Sequence, residues 1–317
     1  MKAAIINRYG DVDVLQYSDV DRPVIKPDQM LVKVYASSIN PIDWKIRQGR
    51  LKLLTGRNFP FVLGFDLAGD VVEVGDRITR FQIGDAVYAR LDQLIGGAYA
   101  EYALVSEQAV ALKPTTMNYV EAAAVPLAAM TALQGLRDEG GLASGQHVLI
   151  NGASGGVGTY AVQLAKILGA SAVVGVCSAN NADLVKRLGA DRVIDYQQQD
   201  FTQEATRYDI VFDVVGNRAF KDCKRVLQPQ GAYVTTQPYP ANYVQRLLSW
   251  FVPGQKYKVV LLKTNANDLI FLKEQIEVGK LRSVVDRTYP LAEIAAAHAY
   301  SETKRAVGKI VITVAQN

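Results

Sequence analysis

Asn151–Gly158 reads NGASGGVG. The apolar run HVLIN (147–151) leads into it. GGVGTYAVQLAKILGA (155–170) follows, with Val162, Ala165, Leu168 and Gly169 at helical spacing. A glycine-rich turn between a strand and a helix lets the backbone pass close to a pyrophosphate. The phosphate charge then rests on the first N–H groups of the helix. Ala153, Gly155 and Gly158 take the three positions of such a dinucleotide-binding turn. Gly152, Ser154, Gly155, Gly156 and Val157 are the candidates to line it. Any tight strand-to-helix turn uses glycine, so the motif gains its meaning from what surrounds it.

What surrounds it is an alternation. SAVVGVC (171–177), DRVIDY (191–196), YDIVFDVVG (208–216), AYVTTQ (232–237) and YKVVLLK (257–263) have the composition of strands. ADLVKRLGA (182–190) and RAFKDCKRVLQPQG (218–231) between them read as helices. Continuous apolar strands separated by helices predict a parallel sheet covered on both faces, with six strands between His147 and Lys263. The first hundred residues have another texture. MLVKVYAS (30–37), LAGDVVEVG (67–75), DAVYARL (85–91) and AYAEYALV (98–105) are short strand-like runs punctuated by Gly and Pro. YVEAAAVPLAAMTALQGLRDEG (119–140) reads as helix around Pro126, with Glu121 in its first turn. Near the C-terminus, NDLIFLKEQIEVGK (267–280) and LAEIAAAHAYSE (291–302) read as helices, and GKIVITV (308–314) as a closing strand. The expected fold is α/β. A β-rich domain spans 1–122 and is completed by 266–317; a doubly wound Rossmann domain spans 123–265.

Composition bounds the function. The 317 residues carry a net charge of +4 from 35 basic and 31 acidic side chains, too mild and dispersed for a nucleic-acid binder. The start, MKAAIINRYG, lacks a basic-then-apolar signal pattern, and the apolar run from Ala122 is too short to span a bilayer. Two cysteines, Cys177 and Cys223, make neither a disulfide framework nor a cysteine-rich zinc site. The expected setting is the cytoplasm. LLSWF (247–251) is a possible lipid contact, though a helix packed on the domain or a substrate lid is the favoured reading.

A site for NAD usually places Asp or Glu about 20 residues beyond the turn, at the end of the second strand. Ser178 stands there instead, in VGVCSANN. Its hydroxyl leaves room for a 2′-phosphate and can donate to it, and Tyr196 at the end of the third strand is a second donor. Ser178 or Asn180 could equally cap the helix from Ala182. The missing acid favours NADPH.

Together these features resemble the medium-chain dehydrogenase/reductase superfamily. Within it, SSINPIDWKIRQG (37–49), FPFVLGFDLAGDVVEVG (59–75) and AAAVPLAAMTALQGL (122–136) are similar to the zinc-independent quinone oxidoreductase and alkenal/enone oxidoreductase branch. The resemblance implies a GroES-like first domain, and places Thr131 and Gly216 on the cofactor cleft. Zinc-dependent relatives carry Gly-His-Glu where this chain has Gly64-Phe65-Asp66, and a cysteine where it has Ser37, Ser38 and Ile39. Neither His147 nor His298 has a second candidate ligand nearby in sequence. A lone carboxylate is a poor zinc site, so Asp66 and Asp70 are expected to bond turns or a basic partner, with no metal.

Without a Lewis acid, a quinone or an α,β-unsaturated carbonyl is the expected substrate. It is already electrophilic and needs only hydrogen bonds to the oxygen that gains charge. Asn40 and Lys45 are the candidates to supply them, although Asn40 also reads as an Asn-Pro turn and Lys45 as a solvated helix face. Asp43 is expected to N-cap a short helix, WKIRQ, closed by Gly49. Zinc-free alcohol or enoyl-thioester chemistry, or a non-catalytic NADPH-binding role, are the competing readings. The apolar strand YKVVLLK at a sheet edge predicts a homodimer.

Overall fold

The computed structural model describes residues 1–237, 246, 247 and 253–314. Of LLSWF, all but Leu247 lies outside the described residues. The chain divides into two units: Met1–Ala128 with Thr264–Gly279 and Ser283–Asn317, and Ala129–Lys263 with Lys280–Arg282.

In chain order the first unit contributes β1 (Lys2–Ile6), β2 (Leu15–Asp19), β3 (Gln29–Ser38) and β4 (Phe61–Val62). It continues with β5 (Asp66–Val74), β6 (Ala86–Arg90), β7 (Tyr102–Ser106) and β8 (Val110–Leu112). The second unit holds β9 (His147–Asn151), β10 (Ala172–Cys177), β11 (Arg192–Asp195), β12 (Tyr208–Asp213), β13 (Leu227–Thr235) and β14 (Lys256–Val259). The chain then returns to the first unit with β15 (Val285–Pro290) and β16 (Lys309–Thr313).

In the first unit β1 lies between β2 and β4, antiparallel to both. A larger sheet runs β15-β16-β3-β5-β6-β8. β3 is its spine: β5 pairs along one edge, while β16 and β7 share the other. β3 is therefore apolar over most of its length, and Met30, Val32 and Val34 are buried with Leu67, Val71, Val87 and Val105. The pairing of Ser38 with both Asp66 and Val311 brings three distant segments to one point. The short helix Tyr119–Ala123 also belongs here. Tyr119 donates to Asp70 and packs on Tyr35, and Ser283 donates to Glu121 O. The division thus falls after Ala128 rather than at 122.

The second unit is the six-stranded parallel sheet that the alternation predicts, in the order β11-β10-β9-β12-β13-β14. The order reverses between β9 and β12, the point where open α/β sheets bind their ligands. The helix Gly156–Ile167 buries Tyr160, Ala161, Val162, Leu164 and Ala165.

Four elements differ from expectation. The segment 218–231 is helical only over Phe220–Cys223 and one further tight turn, and β13 begins at Leu227. Pro229 cannot continue a helix, and the register against β12 shifts close by, between Tyr208 and Ile210. β15 escapes a sequence reading because it is an edge strand with no buried residue. β1 and β2 were not anticipated either: β1 is nearly all apolar and β2 nearly all exposed or half-buried, so neither alternates.

Candidate functional site

The first unit gathers its charge at the end of β3. Asn40 precedes the helix Pro41–Arg47 in extended backbone, and Pro41 suits its first turn because no N–H is required there. Asp43 is not the N-cap: it lies in that first turn, and its carboxylate reaches back to accept from Asn40 N at 2.6 Å. Tyr99 OH donates to the same oxygen at 2.7 Å, while Asp43 Oδ1 is buried without a partner. Burial pushes the Asp43 carboxyl up to about 7 against the pull of Tyr99 and Asn40.

Asp66, the first residue of β5, is wholly buried. Its Oδ2 accepts from Ser38 Oγ at 2.7 Å and Asn40 Nδ2 at 2.8 Å, and its Oδ1 accepts from Leu127 N at 2.8 Å. Lys309 Nζ lies 3.6 Å from Oδ2 and donates to Ile39 O and to Asn40 Oδ1, at 3.0 and 2.6 Å. Burial lowers the Lys309 ammonium, and Asp66 and Asp43 resist that shift. The carboxylates of the opening β5 segment therefore have partners: Lys309 and polar donors for Asp66, and Tyr119 for Asp70.

Asn40 is 1% exposed, with its NH₂ on Asp66 and its carbonyl on Lys309, so it positions its neighbours rather than presenting a donor to substrate. Lys45 lies on the same helix, half-buried, its ammonium 5.7 Å from the centre of the Trp44 ring. Burial lowers its pKa, and the nearby cations Arg50 and Lys304 add to the effect. Lys309, Tyr99 and Ser38 were missed. Lys309 reaches Asn40 across 269 residues, and its only local trace is a lysine opening an apolar strand.

The residues at the position of a catalytic zinc do not suit that ion. Phe65 is buried in the core, and the Asp66 lone pairs are occupied by donors beside an ammonium group. Zinc requires several nitrogen or sulfur ligands, and among the described residues no three His, Cys, Asp or Glu side chains converge. His298 is buried elsewhere, its Nδ1 3.3 Å from Arg47 Nη1.

The second unit carries the nucleotide turn at the sheet's reversal point. Gly152 has a φ of 89°, open to glycine but strained for other residues. A Cβ on Gly158 would stand 2.0 Å from Gly152 O, so only glycine lets the helix start this close to β9. The rim residues Gly152, Ser154, Gly155, Gly156 and Val157 are half-buried, whereas Gly158 and beyond are buried. Asn151 Nδ2 bridges to Asp213 at 2.9 Å, and Asp213 Oδ1 holds the N–H groups of Val215 and Gly216 at 3.1 and 2.8 Å. Asp213 thereby fixes Gly216 beside the turn. Asn181 Nδ2 donates to Ser154 Oγ at 3.1 Å.

Ser178 follows β10 and Tyr196 follows β11, and Tyr196 N donates to Cys177 O, so the two residues leave neighbouring strand ends. Ser178 begins the turn Ala179–Asn181 but makes no side-chain cap. Thr131 is buried on the helix Pro126–Gln134. These donors, with the glycine turn and the helix N-terminus, fit a nicotinamide dinucleotide.

Two family models match: an alcohol dehydrogenase GroES-like domain over residues 26–115, and a zinc-binding dehydrogenase over 188–312. The 2-methylene-furan-3-one reductase of Solanum lycopersicum is 39% identical, covering 98% of this chain and 79% of that protein. The chloroplastic NADPH-dependent alkenal/one oxidoreductase of Arabidopsis thaliana is 38% identical over the same shares. The chain belongs to the quinone and alkenal/one oxidoreductase branch of the medium-chain dehydrogenases/reductases. The quinone oxidoreductase of Coxiella burnetii shares its fold at a TM-score of 0.89, with 33% identity over 99% of both chains. Although one matching model is described as zinc-binding, this member of the branch has Phe65 and a saturated Asp66 in place of a ligand set.

Proposed function

We propose that the protein is an NADPH-dependent reductase of quinones or α,β-unsaturated carbonyls that works without zinc. The observation that carries this reading is Asp66, closed off by Ser38, Asn40, Leu127 N and Lys309. With no Lewis acid at that point, the substrate must itself be electrophilic. When bound, the reduced nicotinamide supplies the hydride. Asn40, Asp66 and Lys309 fix the start of the helix Pro41–Arg47 and so orient Lys45. Lys45 holds a proton at Nζ, and its lowered pKa suits it to donate that proton to the oxygen that gains charge. The named activities of the tomato and Arabidopsis relatives support the substrate class.

The preference for NADPH is supported by Ser178 and Tyr196 at the ribose end. Asp195 closes β11 rather than β10, and its carboxylate accepts from Gln197 N. We also propose a cytoplasmic setting, supported by two buried free thiols, and a homodimer formed through the sheet edge at β14. The deciding experiment for function is a panel of quinones, enals, enones, saturated aldehydes and alcohols with NADPH and NADH, alongside elemental analysis. Turnover of quinones or enals with NADPH is expected, with no zinc. Stoichiometric zinc with activity lost on chelation, or turnover of alcohols alone, would overturn the reading.

A further inference from the structure

Between Asp43 and Asp66 the chain has five cations, Lys45, Arg47, Arg50, Lys52 and Arg57, and no acid. Arg47 is used internally, in a pair with Glu302. Arg50, Lys52 and Arg57 are exposed and form no ion pair among the described residues. They flank the helical turn Lys52–Thr55, which carries two leucines outward: Leu53 is 94% exposed and Leu54 67%. Beside this turn lies a recess of about 350 Å³, walled by the Tyr9 and Phe59 rings and by Arg8, Lys52 and Arg57. Among the described residues, only Arg8 of its cations is paired, with Asp13 at 3.3 Å on the surface.

An exposed leucine pair ringed by cations that form no ion pair among the described residues is costly in water. We propose that this face docks on an anionic lipid bilayer. Leu53 and Leu54 enter the acyl boundary, and Arg50, Lys52 and Arg57 meet headgroup phosphates, with the recess seating one of them. Charge complementarity selects the partner. A neutral membrane would satisfy the leucines and strand the cations, while a soluble anion would satisfy the cations and leave the leucines in water. The attachment lies on the surface, since no helix among the described residues is long and apolar enough to cross a membrane. It is independent of the reductase reading, because neither leucine is a member of the Asp66 cluster or of the nucleotide turn.

The test is sedimentation of the full chain with vesicles of phosphatidylcholine alone or mixed with phosphatidylglycerol, in low and high salt. Binding is expected only to the anionic vesicles, weakening as salt rises. Leu53→Ser/Leu54→Ser leaves the charge unchanged and is expected to weaken binding by tenfold or more. Lys52→Glu/Arg57→Glu is expected to do at least as much, at roughly fivefold per cation removed. Both variants alter exposed side chains, and NADPH binding with a thermal melt serves as the check of fold. Equal binding to both lipids, no binding to anionic vesicles, or insensitivity to the leucine pair would each overturn the proposal. Release from vesicles by millimolar inorganic phosphate, with the leucine variant behaving as the parent, would assign the recess to a soluble anion and overturn it as well.

Discussion

Lys309 donates from the last described strand to Ile39 O and Asn40 Oδ1, which turns the Asn40 NH₂ toward Asp66. Replacing Asn40 by Ala strands one acceptor on Asp66 and one donor on Lys309, both buried. Each such group costs about 1–3 kcal/mol, so the melting temperature and turnover are expected to fall together. A variant that melts like the parent yet turns over 10- to 100-fold more slowly, about the loss of one transition-state donor, would return Asn40 to direct substrate contact. Two buried groups of this unit, Asp43 and His298, set a pH signature. Asp43 is held up to about 7 from 3.8, so its contribution to stability is full below pH 3.8 and is lost as pH rises to about 7. His298 is driven down from 6.5 to about 3 by burial and by Arg47, so its contribution is full above 6.5 and is lost as pH falls to about 3. The two oppose each other across the acid range. Relative to His298→Gln, the parent should gain stability as pH rises from 4 to 6.5, by up to about 1.4 kcal/mol per pH unit. Relative to Asp43→Asn it should lose stability over the same range. Urea unfolding across that range measures both, and parallel profiles for parent and variants would refute the assignment.

At the scale of elements, the turn Asn151–Gly158 was legible because everything it needs is local. A strand ends, glycines permit the approach, and a helix begins within eight residues. The strands β9 to β12 follow the same logic of short apolar runs. β13 was read short because LQPQG looks like the close of a helix, while its strand character comes from pairing with β12 and β14. The cluster around Asp66 was half legible. The sequence argues that Asp66 bonds a turn or a basic partner, but the partner's identity depends on β16 meeting β3, a contact between opposite ends of the chain. Ser178 is the position where element geometry yields a test. At the end of β10, beside the backbone link from Tyr196 to Cys177, an aspartate would face a 2′-phosphate with like charge. Such juxtaposition costs several kcal/mol at a desolvated contact. Ser178→Asp should therefore weaken NADPH binding by tenfold or more while leaving NADH binding equal or better. Fluorescence titration with both cofactors checks this, and tighter binding of NADH by the unmodified protein would remove the basis for the preference.

At the scale of the whole molecule the six-stranded sheet ends on one side at β14, whose Tyr257 and Val259 are buried. The last strand of a sheet is a place where two sheets can join, and proteins cover such edges or pair them. Leu261, just beyond the strand, is 46% exposed and extends the same apolar surface. A two-fold axis beside β14 would join two sheets of six strands into one of twelve and bury that surface, as isologous contacts do. Light scattering at micromolar concentration should then give twice the chain mass of 34.6 kDa. Leu261→Glu places a charge at the joined edge, and like charges would meet across the axis. That variant should shift the equilibrium toward the monomer, with the cofactor turn, which lies at β9 and β12 in the middle of the sheet, still able to bind NADPH. A parent protein that scatters as a monomer would rule out pairing through this edge. A dimer indifferent to Leu261→Glu would move the interface to another surface.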